Sequence, residues 1–142
     1  PASIQEQELS IWKENGLVEL WGYRNDMENV LSNATIVVLP SYREGFPKIL
    51  VEAASCGRVI ITTDVPGCRD AIEKDVTGLL VPVRNARTLA KAISELLNDP
   101  SLCKKMGIAG RERAERLFDI KKIVKEHIDI YKQLSRNNKV LR

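Results

Sequence analysis

The 142 residues predict an α/β domain built on a parallel sheet. Three observations point there. "TIVVLP" (35–40) and "RVIITTD" (58–64) are continuous apolar, β-branched runs, as in strands covered on both faces. Such runs alternate with segments of helical spacing, which argues parallel strands joined by right-handed crossovers. The last third then reads as helix.

Taken in order, Ser3 with Glu6 three residues on forms a capping box for a short helix that stops at Asn15-Gly16. "LVELWG" (17–22) reads as a first strand. Asp26 is placed to cap a helix over 27–34, and 35–40 is the second strand, closed by Pro40. In "PKILVEAASCG" the apolar positions 49, 50, 53 and 54 fall on one helical face, with Gly57 as the stop. Strand 58–64 is followed by a turn at 65–67 and a short helix over 68–74. "TGLLVPV" (77–83) is the fourth strand. Helices follow over 88–97, 100–117 and 120–134, broken at Asp99-Pro100 and Phe118-Asp119, with 136–142 a frayed tail. About four strands with helices on both faces make a Rossmann-like sheet. Doubly wound sheets usually have five or six strands, so a missing front end is expected. Residues 1–135 form the expected domain.

Composition narrows the class. The chain is 44% hydrophobic and 29% charged, ordinary for a globular domain, and no apolar run approaches the ~18 residues of a membrane span. No signal peptide is read at the N-terminus. Cys56, Cys68 and Cys103 form no CxxC, and there is one His, so neither a metal site nor a metal cofactor is expected. A reduced, cytoplasmic setting is the default. Residues 1–100 hold 10 Lys and Arg against 14 Asp and Glu; residues 101–142 hold 12 against 5. The basic end suits either a solvated helix face, the preferred reading, or a peripheral contact with an anionic membrane at its inner face. With two Phe, three Tyr and two Trp and no basic–aromatic interleaving, nucleic acid is not an expected partner.

In open parallel sheets ligands bind beyond the carboxyl ends of the strands. Three small loops occupy those places: Gly22-Tyr23-Arg24-Asn25, the stretch from Ser41 to Phe46, and Thr63 to Gly67. Each precedes a helix, whose free N–H groups and positive dipole end favour an anion. "PSYREGFPKILVE" (40–52) adds two carboxylates with seven residues between them, Glu44 before a helix start at Pro47 and Glu52 about a turn and a half inside. Were the whole stretch helical, they would lie ~12 Å apart along the axis. Carboxylates accept charge-assisted hydrogen bonds from hydroxyls. A diphosphate between two hydroxyl-bearing sugars, as in a nucleotide-sugar, would suit that arrangement. An acid at a helix start and an exposed helical acid are the plainer readings of the same two residues.

These residues carry a resemblance. "PSYREGFPKILVEAASCGRVIITTDVPGCRDAI" is similar to the donor-binding region of retaining glycosyltransferases of family 4, which have two Rossmann-like domains and an active site between them. Their Glu-x7-Glu signature matches Glu44 to Glu52, and the likeness spans about residues 15–135. It implies that Glu44 is the catalytic-site acid meeting the donor sugar. Backbone groups of Gly45, Phe46 and Pro47 would border the sugar, and those of Lys48 and Ile49 the distal phosphate. Glu52 would take the ribose hydroxyls, and Gly22, Tyr23 and Arg24 would border the base. Pro47 replaces a frequent Gly and withdraws one N–H; Asp70 stands where Glu is common.

The resemblance further implies transfer of a sugar, with retention, from a nucleoside diphosphate sugar such as a UDP-sugar to an acceptor hydroxyl in polysaccharide or glycolipid assembly. The family's phosphate-binding Arg and Lys and its acceptor domain would precede Pro1. The chain alone is therefore expected to bind donor weakly or not at all and to be inactive. A non-catalytic nucleotide-sugar-binding or scaffold domain is the alternative. Clustered aspartates after the strands would have suggested a receiver domain, but only Asp64 is so placed.

Overall fold

The computed structural model describes residues 4–140, with side chains described to residue 136. Helices α1 (Glu6–Glu14) and α2 (Met27–Asn33) lead into β1 (Ile36–Leu39), α3 (Lys48–Ser55), β2 (Val59–Thr63), α4 (Pro66–Ala71) and β3 (Gly78–Val81). Then come α5 (Ala86–Asn98), α6 (Pro100–Leu117) and α7 (Ile120–Val140). The sheet is parallel, in the order β1-β2-β3. Val37 pairs with Ile60 and Ile61 with Leu79. An α/β Rossmann-like architecture with a helical C-terminal third is therefore what the sequence folds into.

The strand period of two assigns each face. Val37, Leu39, Ile60 and Leu80 face one core with Leu31, Leu50, Ala53, Ala54 and Cys68. Ile36, Val38, Val59, Ile61, Leu79 and Val81 face the other, with Ala92, Leu96 and Met106. The first layer is α2, α3, α4 and the end of α6; the second is α5 and the start of α6. One glycine lets α6 come close. A Cβ on Gly107 would lie 2.1 Å from the Gly57 carbonyl oxygen, whereas Gly110 has ordinary room near Ala54. Gly57, at φ +66, also ends α3 as its spacing predicts.

Several expectations need correction. Three strands form among the described residues, not four. Residues 17–22 are irregular, and Leu17 and Trp21 are 70% and 55% exposed. A strand needs a neighbour to pair its backbone groups, and none lies there among the described residues. For the same reason β1, an edge, is only half-buried despite its continuous apolar run, whereas the central β2 is wholly buried. The turn at 65–67 and the helix after it merge into α4, because the fixed φ of Pro66 fits a first helical position. The tail expected to fray from residue 136 is helical as far as it is described, with α7 continuing to Val140. Ser3 lies outside the described residues, and Gln5 is the residue before α1. Asp26 precedes α2 but makes no side-chain cap, since its carboxylate is taken by Arg24.

Side chains cap the later helices. Asn85 Oδ1 accepts from the Thr88 N–H at 3.0 Å, and Asp99 Oδ1 from the Leu102 N–H at 2.9 Å. The latter bond, helped by the Ser101 hydroxyl, holds the Asp99 carboxyl below its ordinary range. Asp119 accepts from the Lys121 N–H. No described helix is long and apolar enough to cross a membrane.

Candidate functional site

The loop from Pro40 to Pro47 leaves the carboxyl end of β1 and is fastened from β2. Thr62 Oγ1 donates to the Leu39 carbonyl at 2.8 Å, and Thr63 Oγ1 donates to the Ser41 carbonyl. Both threonines are buried, so these hydroxyls satisfy themselves within the site's foundation. In the sequence they read only as β-branched strand residues. Gly67 supplies a third fastening. A Cβ there would lie 2.1 Å from the Gly45 carbonyl oxygen and 2.7 Å from that of Glu44. The glycine that reads as a turn residue is needed for close backbone approach.

On this foundation the Ser41 hydroxyl donates to Glu44 Oε1 at 2.6 Å. Glu44 is half-buried, and its second oxygen has no protein donor among the described bonds. Gly45 is open: a Cβ would meet nothing within 4 Å. Pro47 is buried and stands just before α3, with ψ 108, instead of at the first helical position. That ψ lies outside the helical well, so the helix begins at Lys48. Proline has no capping side chain, and the α3 start carries no side-chain cap. Its first-turn N–H groups therefore face the loop unfilled by a cap. Lys48 is exposed, and Ile49 packs toward the core.

Glu52 projects from α3 to solvent. With Asn25, Met27, Glu28, Val51 and Ser55 it lines a hollow of about 490 Å³ between α2 and α3. Glu44 is not among the residues lining that hollow. Along the chain the helix start thus stands between the two carboxylates, of which only Glu52 lines this hollow.

The expected base-bordering residues divide. Gly22, at φ +63, turns the chain, and Tyr23 is 97% exposed. Arg24 pairs with Asp26 at 2.5 Å and lies over the Trp21 ring at 5.2 Å. This pairing raises the Arg24 pKa and lowers that of Asp26. Arg24 lines a separate hollow with Trp21, Glu19 and Asn33; Asn25 is the loop residue that reaches the hollow of Glu52. Phe46 is not only a backbone position. Its ring meets that of Phe118, with centroids 5.4 Å apart. The sequence gives no local sign of this contact, which joins positions 72 apart in the chain.

Among the described residues no cluster of three His, Cys, Asp or Glu is arranged to hold a metal ion. Cys103 is half-buried, and desolvation pushes its thiol up in pKa, away from the reactive thiolate.

Known proteins are similar to this chain in sequence and fold. The family described as Glycosyl transferases group 1 matches residues 6–113. An N,N'-diacetylbacillosaminyl-diphospho-undecaprenol alpha-1,3-N-acetylgalactosaminyltransferase from Campylobacter jejuni is 36% identical over 87% of this chain and 32% of its own length. The capsular polysaccharide biosynthesis glycosyltransferase CapM of Staphylococcus aureus is 32% identical over 91% of this chain and 34% of its own. The chain spans about a third of the length of these relatives. Among solved structures, sucrose-phosphate synthase from Thermosynechococcus elongatus superposes with a TM-score of 0.81 at 31% identity, over 92% of this chain and 34% of that one. HepE of Anabaena, solved with UDP, has a TM-score of 0.83 at 23% identity, over 89% of this chain and 36% of its own, and supports the fold. With the family matched over most of its length, the chain belongs to the group 1 glycosyl transferases.

Proposed function

We propose that this chain is the donor-binding part of a retaining transferase of family 4 that moves a sugar from a UDP-sugar to an acceptor hydroxyl. The observation that carries the reading is the placement of the uncapped α3 start between Glu44 and Glu52. In this reading the sugar hydroxyls meet Glu44, whose orientation Ser41 fixes. The distal phosphate meets the N–H groups near Lys48 and Ile49, and the ribose meets Glu52 in the hollow beside Asn25. The relatives' names favour carbohydrate assembly, and HepE was solved with UDP and with UDP-glucose.

Each residue has a chemical task under this proposal. Free N–H groups at the α3 start stabilise negative charge as the nucleoside diphosphate leaves. No resident metal is part of the scheme, and the leaving phosphate can take the acceptor's proton on the same face. Glu44 orients the sugar and supports the positive charge that develops on it; it is not a nucleophile, so the two-carboxylate course of glycoside hydrolysis does not apply. The acceptor domain and further cationic residues for the diphosphate belong to the rest of the enzyme. The chain alone is then inactive.

Titrating UDP-glucose into the 15N-labelled chain tests the site. Weak binding that perturbs the amides of residues 44–52 and of Asn25 is the expected result. Perturbation centred instead on β3 and α5 would overturn the assignment.

A further inference from the structure

We propose that Phe118 is a positioning residue for the donor loop, acting through Phe46. The proposal rests on the donor reading of Glu44 to Glu52. Phe46 lies between Glu44 and α3 and is 45% exposed, so it is not a core side chain. Its ring rests on Phe118 at 5.4 Å with a 58° tilt, within the range aromatic pairs favour.

Phe118 is the residue that closes α6, its N–H donating to the Ala114 carbonyl at 2.8 Å. The next residue, Asp119, caps α7. The donor loop therefore leans on the joint between two helices. Arg113, about one turn earlier on α6, holds that joint to the body of the domain. Its Cζ lies 5.9 Å from the Phe118 ring, and Nη2 donates to the Asp70 carbonyl of α4 at 3.1 Å. The same α4 carries Gly67, pressed against Glu44-Gly45. Two supports, Gly67 and Phe118, thus converge on adjacent residues of one loop, and Arg113 connects them.

The second support carries a long lever. On α7 the apolar residues Ile120, Val124, Ile128, Tyr131 and Leu134 are exposed, at 67%, 47%, 45%, 70% and 57%. Movement at the root of α7 would reach the Gly45 and Phe46 backbone through the two tilted rings. Gly45 has open space where a side chain would stand, so it adds no side-chain packing to the Gly67 contact on its carbonyl.

Backbone 15N relaxation on the chain tests the coupling without any ligand. Phe118→Ala is expected to lower the order parameters of Gly45 and Phe46 toward the roughly 0.6 of flexible backbone, while those of β2 stay near roughly 0.85. Phe118→Tyr, which keeps the ring, should restore the wild-type order parameters, and Phe118→Leu, which keeps apolar bulk only, should fall between. Adding Phe46→Ala to Phe118→Ala should add nothing further at Gly45. Unchanged order parameters at residues 45–46 would overturn the proposal, as would a decrease spread equally over β2. In parallel, Phe118→Ala should weaken the UDP-glucose response more than the response to UDP. Equal weakening of both would count against positioning at the sugar end. If the order parameters respond as expected while UDP-glucose perturbs residues elsewhere, the coupling stands and the donor reading falls.

Discussion

Gly67 lies so close to Gly45 that a Cβ on it would come 2.1 Å from the Gly45 carbonyl oxygen, whereas a Cβ on Gly45 would meet nothing within 4 Å. The two glycines of one contact therefore have opposite tolerances. Gly67→Ala must push the Glu44-Gly45 backbone outward or shift α4. Overpacking of this kind costs about 1–3 kcal/mol, and Gly45→Ala should stay within about 0.5 kcal/mol. Urea denaturation of both variants checks this; equal effects would mean that the contact yields freely.

The two carboxylates should separate by ligand. Glu44→Gln, which keeps an acceptor oxygen but removes its charge, is expected to weaken UDP-glucose about five- to tenfold and to leave UDP unaffected. Glu52→Gln should weaken both ligands alike, because both carry the ribose. Titrations followed by NMR read the difference. If Glu44→Gln weakened UDP as strongly as UDP-glucose, the sugar-end role would be lost.

Charge on the face of α7 should be tolerated. Val124→Lys and Ile128→Lys replace residues about half exposed, so unfolding free energy should move by no more than about 0.5 kcal/mol. Leu50→Ala, at a fully buried position, should cost about 2–5 kcal/mol. Thermal and chemical denaturation compare the three. A large loss from the lysine pair would show that α7 is packed in solution.

Asp99 should impose a pH dependence on stability. Its folded pKa is depressed, first by the Leu102 N–H bond and then by the Ser101 hydroxyl. The sign follows: the stabilisation is present above the unfolded carboxyl pKa of about 3.9 and is lost as pH falls through the lower, folded value. Asp99→Asn keeps a capping oxygen but no titratable group. Its melting temperature should fall less than wild type's between pH 5 and pH 2. Parallel curves for the two proteins would remove Asp99 as the source.

The apolar runs at 36–39 and 59–63 and the stops at Gly57 and Asp99-Pro100 are all local, and the sequence displays them, whereas the Asn85 and Asp99 caps emerge from the structure. Glu44 and Glu52 could likewise be singled out, because their spacing around a proline-bearing helix start is a local pattern. Residues 17–22 could not be read correctly from pattern alone. Whether such a run becomes a strand depends on a neighbour to pair with, and none stands beside it among the described residues.

By itself, then, the sequence determined the alternation of strands and helices, the α3 start and the two acids that flank it. These follow from side-chain period, backbone donors and φ restriction within a few residues. The tertiary structure alone decided how the loop is held: Thr63 on Ser41, Gly67 on Gly45 and Phe118 on Phe46. It also decided that Glu52, and not Glu44, lines the hollow between α2 and α3. Each of those contacts joins residues 22 or more apart in sequence, and only the pairing of β1 with β2 and the packing of α4 and α6 onto the sheet bring them within reach.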